Sequence, residues 1–190
     1  MNALALLDTP RRLLLRIEDF LTLNIAGTLD GFAKSELIDG EIITMNAQFR
    51  PHSFAQSQLL IRLAHALASL DLDLTPVIEV AIAMPPYDMP EPDITLTSSP
   101  RGEGPVPLAS VALVVEVSST TRDFDLGRKA ALYAHHRIPE YWVVDLPGAE
   151  IVRHWQPGAD GYACRDAVAF GTSITAATLP DLTVETAGLA

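Results

Sequence analysis

The chain has 190 residues, of which 48% are hydrophobic, and its 24 acidic and 13 basic residues give a formal net charge of −11 at pH 7. This length and apolar content predict one packed domain over residues 1–190 and exclude an intrinsically disordered chain. The acidic balance argues against broad non-specific attraction to nucleic acid, and the single cysteine, Cys164, excludes an intrachain disulfide and a cysteine-based zinc site.

The N-terminal stretch MNALALLDTPRRLLLR gives the first indication of location. It places an acidic residue before its arginines and contains no sustained apolar segment, which is not typical of a signal peptide. No uninterrupted apolar run in the chain reaches membrane-spanning length. We therefore expect a cytoplasmic protein with no membrane partner. Residues 11–23 alternate charges and leucines at roughly helical spacing and predict a short helix.

The segment KSELIDGEIITM (34–45) predicts a β-hairpin, because Asp39-Gly40 lies between two β-prone runs. A two-residue turn places Glu36 opposite Ile43 and Ile38 opposite Glu41. Both glutamates then project from the same face of the hairpin. Since glutamate is usually exposed, we expect this face to be solvated, with a contribution to a site as the alternative.

The next segments predict a helix followed by two strands. Residues 52–70 repeat apolar side chains at helical spacing, and the predicted inward stripe is Phe54, Leu59, Leu63, Ala66, Leu67 and Leu70. Residues 77–84 predict one strand, which Pro85-Pro86 ends. Pro90 and Pro92 keep the chain extended, and Asp93 then leads into the short strand ITLT (94–97).

An apolar run at 111–117, VALVVEV, predicts a strand buried on both faces and carries one carboxylate, Glu116. A buried charge is costly unless it is paired or coordinates a metal. A helix over 125–137, with an inward stripe of Leu126, Ala130, Tyr133 and Ala134, leads to a second buried strand at 141–145. This order predicts an α/β fold with a mixed sheet, in which these two strands are parallel and joined by a right-handed crossover.

Three charged side chains can converge at one edge of that sheet. Asp93 begins one strand, Glu116 lies near the end of the next, and Lys129 falls early on the following helix. Two carboxylates that hold Mg²⁺, with a lysine beside them, suit metal-assisted phosphodiester hydrolysis. The alternative is structural: Lys129 would be a surface lysine paired with Asp125, and Asp93 would cap a turn after Pro92.

The same residues resemble those of a known family. The segments that carry the likeness are ELIDGE (36–41) followed by His52, PEPDITL (90–96) and LVVEVSSTTRDFDLGRKAALYAHHRIPEYWVVDLPG (113–148). They closely resemble the Uma2 family of bacterial endonucleases, within the PD-(D/E)XK restriction-endonuclease-like superfamily. The resemblance extends from about residue 12 to residue 185.

The resemblance implies a restriction-endonuclease-like core, a mixed β-sheet flanked by helices with an N-terminal β-hairpin. It implies Asp93 and Glu116 as ligands of Mg²⁺ or Mn²⁺ and Lys129 as the catalytic lysine, while Glu36 and His52 match recurrent family positions and extend the site. The wider superfamily often has lysine two residues after the glutamate, where this chain has Ser118. Uma2-like sequences place the lysine on the next helix, and Lys129 matches that position.

These observations predict a metal-dependent endonuclease that hydrolyses DNA. The alternatives are a non-catalytic module that retains the fold and binds nucleic acid or a protein, and a hydrolase of another phosphodiester. Because an acidic subunit without a separate DNA-binding domain offers little phosphate-binding surface, we expect a homodimer.

Overall fold

A computed structural model describes residues 11–189. The first ten residues, which carry most of the stretch used to argue against a signal peptide, lie outside this range, as does the last residue of the predicted 1–190 domain. The helices are α1 (Ile17–Ile25), α2 (Arg50–Ala68), α3 (Arg122–Phe124) and α4 (Ala130–His135). None of the helices within the described residues is both long and apolar enough to cross a membrane.

Twelve strands accompany these helices within the described residues. In chain order they are β1 (Lys34–Ile38), β2 (Glu41–Met45), β3 (Thr75–Ile78), β4 (Ile82–Ala83), β5 (Ile94–Thr97), β6 (Val106–Pro107), β7 (Val111–Ser118), β8 (Glu140–Asp145), β9 (Glu150–Gly158), β10 (Gly161–Ala169), β11 (Ser173–Thr175) and β12 (Thr183–Glu185).

Six of these strands form the central sheet, in the order β10-β9-β8-β7-β5-β3. Only β7 and β8 run parallel within it, and every other neighbouring pair is antiparallel. The predicted mixed sheet and the parallel pairing of the two apolar strands are therefore confirmed. The connection between β7 and β8 is the 122–135 helix, as the sequence predicted.

Helix α2 packs on one face of this sheet. Its buried apolar residues Ala55, Leu59, Leu63 and Leu67 join one core cluster with Val115 and Val117 of β7. The prediction placed Phe54 in the inward stripe, and this is wrong: the Phe54 side chain is 67% exposed. The buried face instead includes His52 and Gln56, so α2 is turned to bring two polar side chains toward the sheet.

The opposite face of the sheet is covered by the hairpin and by the 122–135 helix. Its core cluster includes Ile38 of β1, Val114 of β7 and Tyr133 of α4. The hairpin has the predicted register, with Glu36 opposite Ile43 and Ile38 opposite Glu41. Gly40 has a φ of 72°, and a Cβ there would lie 2.6 Å from the Leu14 Cβ, so this turn position requires glycine.

Two local predictions need correction. The N-terminal helix begins at Ile17 rather than at residue 11. The strand predicted over 77–84 is divided into β3 and β4, because Glu79 adopts a left-handed conformation with a φ of 48°. As a result β3 pairs with β5, whereas β4 leaves the central sheet and pairs with β6.

The helix predicted over 125–137 begins earlier and contains a π-helical turn. It consists of α3, a π-helical segment at Asp125–Lys129, and α4. Both Asp125 and Lys129 are buried in this segment. Single π-helical turns within α-helices occur frequently at functional sites. Of the predicted inward stripe, Leu126 is only half-buried, whereas Tyr133 and Ala134 are fully buried.

Candidate active site

The five residues singled out from the sequence converge on one buried cluster. Asp93 and Glu116 come from neighbouring strands of the sheet, His52 from α2, Glu36 from the hairpin and Lys129 from the π-helical turn. Their exposed fractions lie between 0% and 4%. The cluster therefore joins both layers of the fold at the β5–β7 pair.

The register of β5 and β7 places the two predicted metal ligands opposite each other. Ile94 pairs with Val115 in this antiparallel ladder, so Asp93, which directly precedes β5, lies beside Glu116 where the ladder ends. The Val117 backbone N–H donates to Asp93 Oδ2 at 2.6 Å, which anchors Asp93 to β7. Asp93 is thus bound across the sheet and does not cap a turn after Pro92.

Lys129 is a buried residue at the centre of the cluster. Its ammonium donates to Glu116 Oε1 at 2.8 Å and to Glu36 Oε1 at 3.1 Å. Its exposed fraction is 2%, so the alternative of a surface lysine paired with Asp125 is wrong. A buried ammonium is tolerated here because two carboxylates compensate for its lost hydration.

Arg128 explains why the hairpin meets the helix at this point. Its guanidinium donates to Asp39 Oδ2 at 2.9 Å, to the Ile38 carbonyl at 3.0 Å and to Glu41 Oε2 at 2.9 Å. These contacts hold the hairpin turn against Arg128, which directly precedes Lys129 in the chain. The hairpin then presents Glu36 to the Lys129 ammonium.

Glu36 is fully buried, so the expectation of a solvated hairpin face is wrong for this residue. Its Oε1 accepts hydrogen bonds from the Glu91 backbone N–H at 2.8 Å and from Lys129. Leu37 forms a bridge with Met89, which brings the 88–91 segment against β1. Glu41 lies on the same hairpin face near the turn and remains 41% exposed at its side chain.

Each predicted metal ligand has one oxygen held by hydrogen bonds and one oxygen free of them. Glu116 Oε1 accepts from Lys129 and from the Tyr133 hydroxyl, both at 2.8 Å. Asp93 Oδ2 accepts from Val117 and lies 3.1 Å from His52 Nε2. Within residues 11–189, no hydrogen-bond donor reaches Glu116 Oε2 or Asp93 Oδ1. Two such oxygens on adjacent residues at the end of a β-ladder suit a hard divalent cation.

The charges of the cluster are perturbed by burial and by one another. Burial raises the pKa of Glu116 to about 8, with Lys129 opposing this rise and the Asp93 and Glu36 carboxylates adding to it. Burial acts to lower the pKa of Lys129, but Glu116 and Glu36 reverse this effect and hold it above its ordinary value. Lys129 therefore stays charged and does not act as a base.

Asp93 stays ionised more easily than Glu116. Burial acts to raise its pKa, but the hydrogen bond with His52, the nearby charge of Lys34 and the Val117 N–H hold the pKa of Asp93 below its ordinary value.

The residues present fit a divalent metal with few protein ligands. Within the described part of the chain, no three His, Cys, Asp or Glu side chains are grouped to hold an ion. Mg²⁺ is commonly bound by one or two carboxylates and keeps several waters, so Asp93 and Glu116 meet its requirement. Glu36 is not needed for this ion, because its carboxylate already pairs with the Lys129 ammonium, with Oε2 at 3.1 Å from it.

Sequence reasoning missed three polar residues of the cluster. Lys34 lies 3.8 Å from Glu36 and 3.9 Å from Asp93 Oδ1, and Gln56 donates to the Asp93 carbonyl at 2.9 Å. Tyr133 was predicted only as a core residue. Each had a signal: Lys34 shares a strand face with Glu36 by two-residue alternation, and Gln56 and Tyr133 follow His52 and Lys129 by one helical turn.

The fold and the sequence pattern have counterparts among known proteins. The Uma2 family model, described as "Putative restriction endonuclease", matches residues 17–187. A crystal structure of a "putative nuclease belonging to DUF820" from Anabaena variabilis ATCC 29413 is similar, with a TM-score of 0.65 and 15% identity over 88% of this chain and 91% of that chain. No curated protein matches the chain. At this identity the structural likeness shows the fold alone.

Proposed function

The chain belongs to the Uma2 family of restriction-endonuclease-like proteins, and from this we propose that it is a metal-dependent endonuclease acting on DNA through Asp93, Glu116 and Lys129. Its membership of this family gives the nuclease class. The metal, the substrate and the roles of the individual residues are our proposal. We also propose that residues 1–190 act as one domain, which the family match over 17–187 supports.

One observation carries the proposal. The sheet register sets Asp93 opposite Glu116, and each carboxylate keeps one oxygen without a hydrogen-bond donor among the described residues. A buried lysine fixes the other Glu116 oxygen. Two oxygens without hydrogen-bond donors, on adjacent residues at the end of the ladder, suit a ligand that supplies positive charge.

The residues of the chain would divide the work of hydrolysis. In the overall reaction, water adds its oxygen to phosphorus, the P–O bond to the leaving strand breaks, and a proton passes to the departing oxygen. Asp93 and Glu116 would hold a divalent cation, which stabilises the negative charge that develops on the phosphate. His52 keeps Asp93 Oδ2 engaged, so that Oδ1 remains the oxygen available for binding. Lys129 orients Glu116 and keeps a positive charge beside the reacting phosphate.

Plasmid and oligonucleotide cleavage with Mg²⁺ or Mn²⁺ tests the proposal. We expect cleavage by the parent protein, no cleavage in EDTA, and loss of cleavage with Asp93→Asn or Glu116→Gln. Asp160→Asn is the matched control, because Asp160 is exposed in the β9–β10 turn. Calorimetry should show Mn²⁺ binding to the parent and to the control but not to Asp93→Asn. Cleavage by Asp93→Asn at the parental rate would refute the assignment.

The near-complete burial of the five side chains favours a second candidate, a binding module that retains the fold without cleavage. Such a module would bind DNA or a protein with the cluster serving only as an internal ion-pair network. Absence of cleavage with either metal, together with unchanged folding and oligonucleotide binding in Glu116→Gln, would establish this candidate. We further propose that the endonuclease acts as a homodimer, so that two sites can address the two strands of a duplex.

A further inference from the structure

Both lysines of the protein lie at the candidate site. The sequence contains only two lysines, Lys34 and Lys129, and its remaining Lys+Arg residues are all arginines. Both ammonium groups lie within 4 Å of Glu36, although the two residues come from different elements. Lysine differs from arginine in carrying a compact, strongly hydrated point charge with three donors. Compact cations are thus restricted to this one cluster.

The two lysines are engaged very differently. Lys129 makes direct hydrogen bonds of 2.8 and 3.1 Å to its two carboxylates and is 2% exposed at its side chain. Lys34 stands 3.8 Å from Glu36 Oε1 and 3.9 Å from Asp93 Oδ1, both beyond direct hydrogen-bond distance. Its side chain is 13% exposed. Within residues 11–189 the Lys34 ammonium donates no hydrogen bond, so its donors are available to a ligand.

A cleft reaches Lys34 from outside the cluster. Its volume is about 280 Å³, and it lies between α1, the 29–35 segment and the 81–91 segment. Lys34 is the only Lys or Arg side chain that lines it among the described residues, while Asp30 and Glu91 supply acidic walls. An anionic group that enters this cleft would therefore meet a positive side chain only at Lys34. Phe32, half exposed, lies at the same cleft.

We infer that Lys34 is a second catalytic lysine, which binds a phosphate of the nucleic-acid substrate beside the Asp93–Glu116 pair. This inference rests on the proposed function and assigns the direct phosphate contact to a residue outside the matched motif. Lys34 lies 3.9 Å from the Asp93 oxygen that lacks a hydrogen-bond donor, so a phosphate on Lys34 is adjacent to the candidate cation position. A lysine that served only to neutralise the carboxylates would bind them directly, as Lys129 does.

The small number of lysines makes the contact directly observable. Selective isotope labelling of lysine gives one NMR signal for each of two side chains, and Lys34→Arg assigns them by removing one signal. A short oligonucleotide, tested as a single strand and as a duplex, is added in EDTA so that no cleavage occurs. We expect the Lys34 signal to shift on binding and the Lys129 signal to stay near its free position. Binding with an unmoved Lys34 signal would overturn the inference alone.

Binding measurements with variants supply the second test. Lys34→Met removes the charge, and Arg165→Met is the matched control, because Arg165 is an exposed cation on the edge strand β10. Loss of one charge-assisted hydrogen bond should weaken oligonucleotide binding by about tenfold or more in Lys34→Met. The slope of the logarithm of the binding constant against the logarithm of the salt concentration should become less negative by roughly 0.7–0.9, the value for one lost phosphate contact.

The outcomes separate this inference from the proposed function. Equal affinities and salt slopes for Lys34→Met and Arg165→Met would show that Lys34 makes no phosphate contact, whether or not the protein cleaves DNA. Loss of folding in Lys34→Met would be detected by circular dichroism. In that case Lys34→Arg, which retains the charge, takes its place in the comparison with Arg165→Met. No binding of either oligonucleotide by the parent at low salt would overturn both the inference and the proposed function.

Discussion

Replacement of Lys129 by methionine is the most informative single perturbation of this protein. Methionine is similar in length to lysine, so the change removes the charge without opening a large cavity. The variant leaves Glu116 and Glu36 buried without their direct hydrogen bonds of 2.8 and 3.1 Å from the ammonium. Removing one partner of a buried ion pair costs about 3–5 kcal/mol of stability. Loss of a preorganised charge at the reacting centre costs about 10²–10³ in rate.

The stability loss should depend on pH in a defined direction. The pKa of Glu116 is raised to about 8 in the folded protein, and Lys129 opposes this rise, so the variant has a still higher value. A carboxyl group whose folded-state pKa exceeds its unfolded value of 4.5 loses stability as pH rises between the two values. Between pH 4.5 and about 8 this loss is the same in both proteins, so the deficit of Lys129→Met relative to the parent stays constant there and grows as pH rises above about 8.

Urea unfolding in EDTA at several pH values measures this deficit, and DNA cleavage with Mg²⁺ measures the rate. Arg165→Met is the matched control, because Arg165 is an exposed cation on the edge strand β10. Its loss should cost about 0–1 kcal/mol at any of these pH values. Lys129→Met should still bind Mn²⁺ by calorimetry, because Asp93 and Glu116 remain. A variant that cleaves DNA as fast as the parent, or that unfolds at the parental urea concentration at about pH 9, would refute the reasoning.

Three further predictions follow from the same structure. Tyr133→Phe removes the second hydrogen bond to Glu116 Oε1 and should lower the free energy of unfolding by about 1.5–3 kcal/mol. The loss of cleavage should be smaller than in Lys129→Met. Unchanged stability would show that this hydrogen bond contributes nothing. Burial lowers the pKa of His154 to about 4 from 6.5, so this residue stabilises the fold above pH 6.5 and the stabilisation is lost as pH falls toward 4. Between pH 6.5 and 4, His154→Phe should therefore lose up to about 3 kcal/mol less free energy of unfolding than the parent in urea titrations. Identical pH profiles for the two proteins would contradict the assignment. Light scattering should report twice the subunit mass of 20.5 kDa at micromolar concentration, whereas a species of 20.5 kDa alone would contradict the proposed homodimer.

Some features of the fold could be predicted because neighbouring residues determine them. The Asp39-Gly40 pair fixed a two-residue turn, and the turn fixed the register that sets Glu36 opposite Ile43. The apolar runs of β7 and β8, separated by one helix, predicted adjacent parallel strands, which the structure confirms. A lone carboxylate in such an apolar run indicates that another residue, anywhere in the chain, pairs with it. Glu116 was identified in this way before its partners were known.

Which residues pair with Glu116 depends on which helices and hairpin cover each face of the central sheet. Glu36 has the sequence environment of an exposed hairpin residue, and its burial follows from the packing of the 88–91 segment against β1 and from Arg128 across the hairpin turn. Phe54 has the spacing of a core residue, yet α2 turns His52 inward and leaves Phe54 exposed. Lys34 meets Asp93 only through contact between the hairpin and the sheet.

The amino-acid sequence by itself determined the hairpin turn, the apolar strands, the sheet class and the presence of a buried carboxylate, because these depend on periodicity and turn chemistry over a few residues. Only the tertiary structure decided which hairpin face is buried, which oxygens of Asp93 and Glu116 lack donors, and which of the two lysines has donors available. These properties depend on contacts between residues far apart in the chain, such as the 93 positions that separate Glu36 from Lys129. Local patterns do not encode such distances.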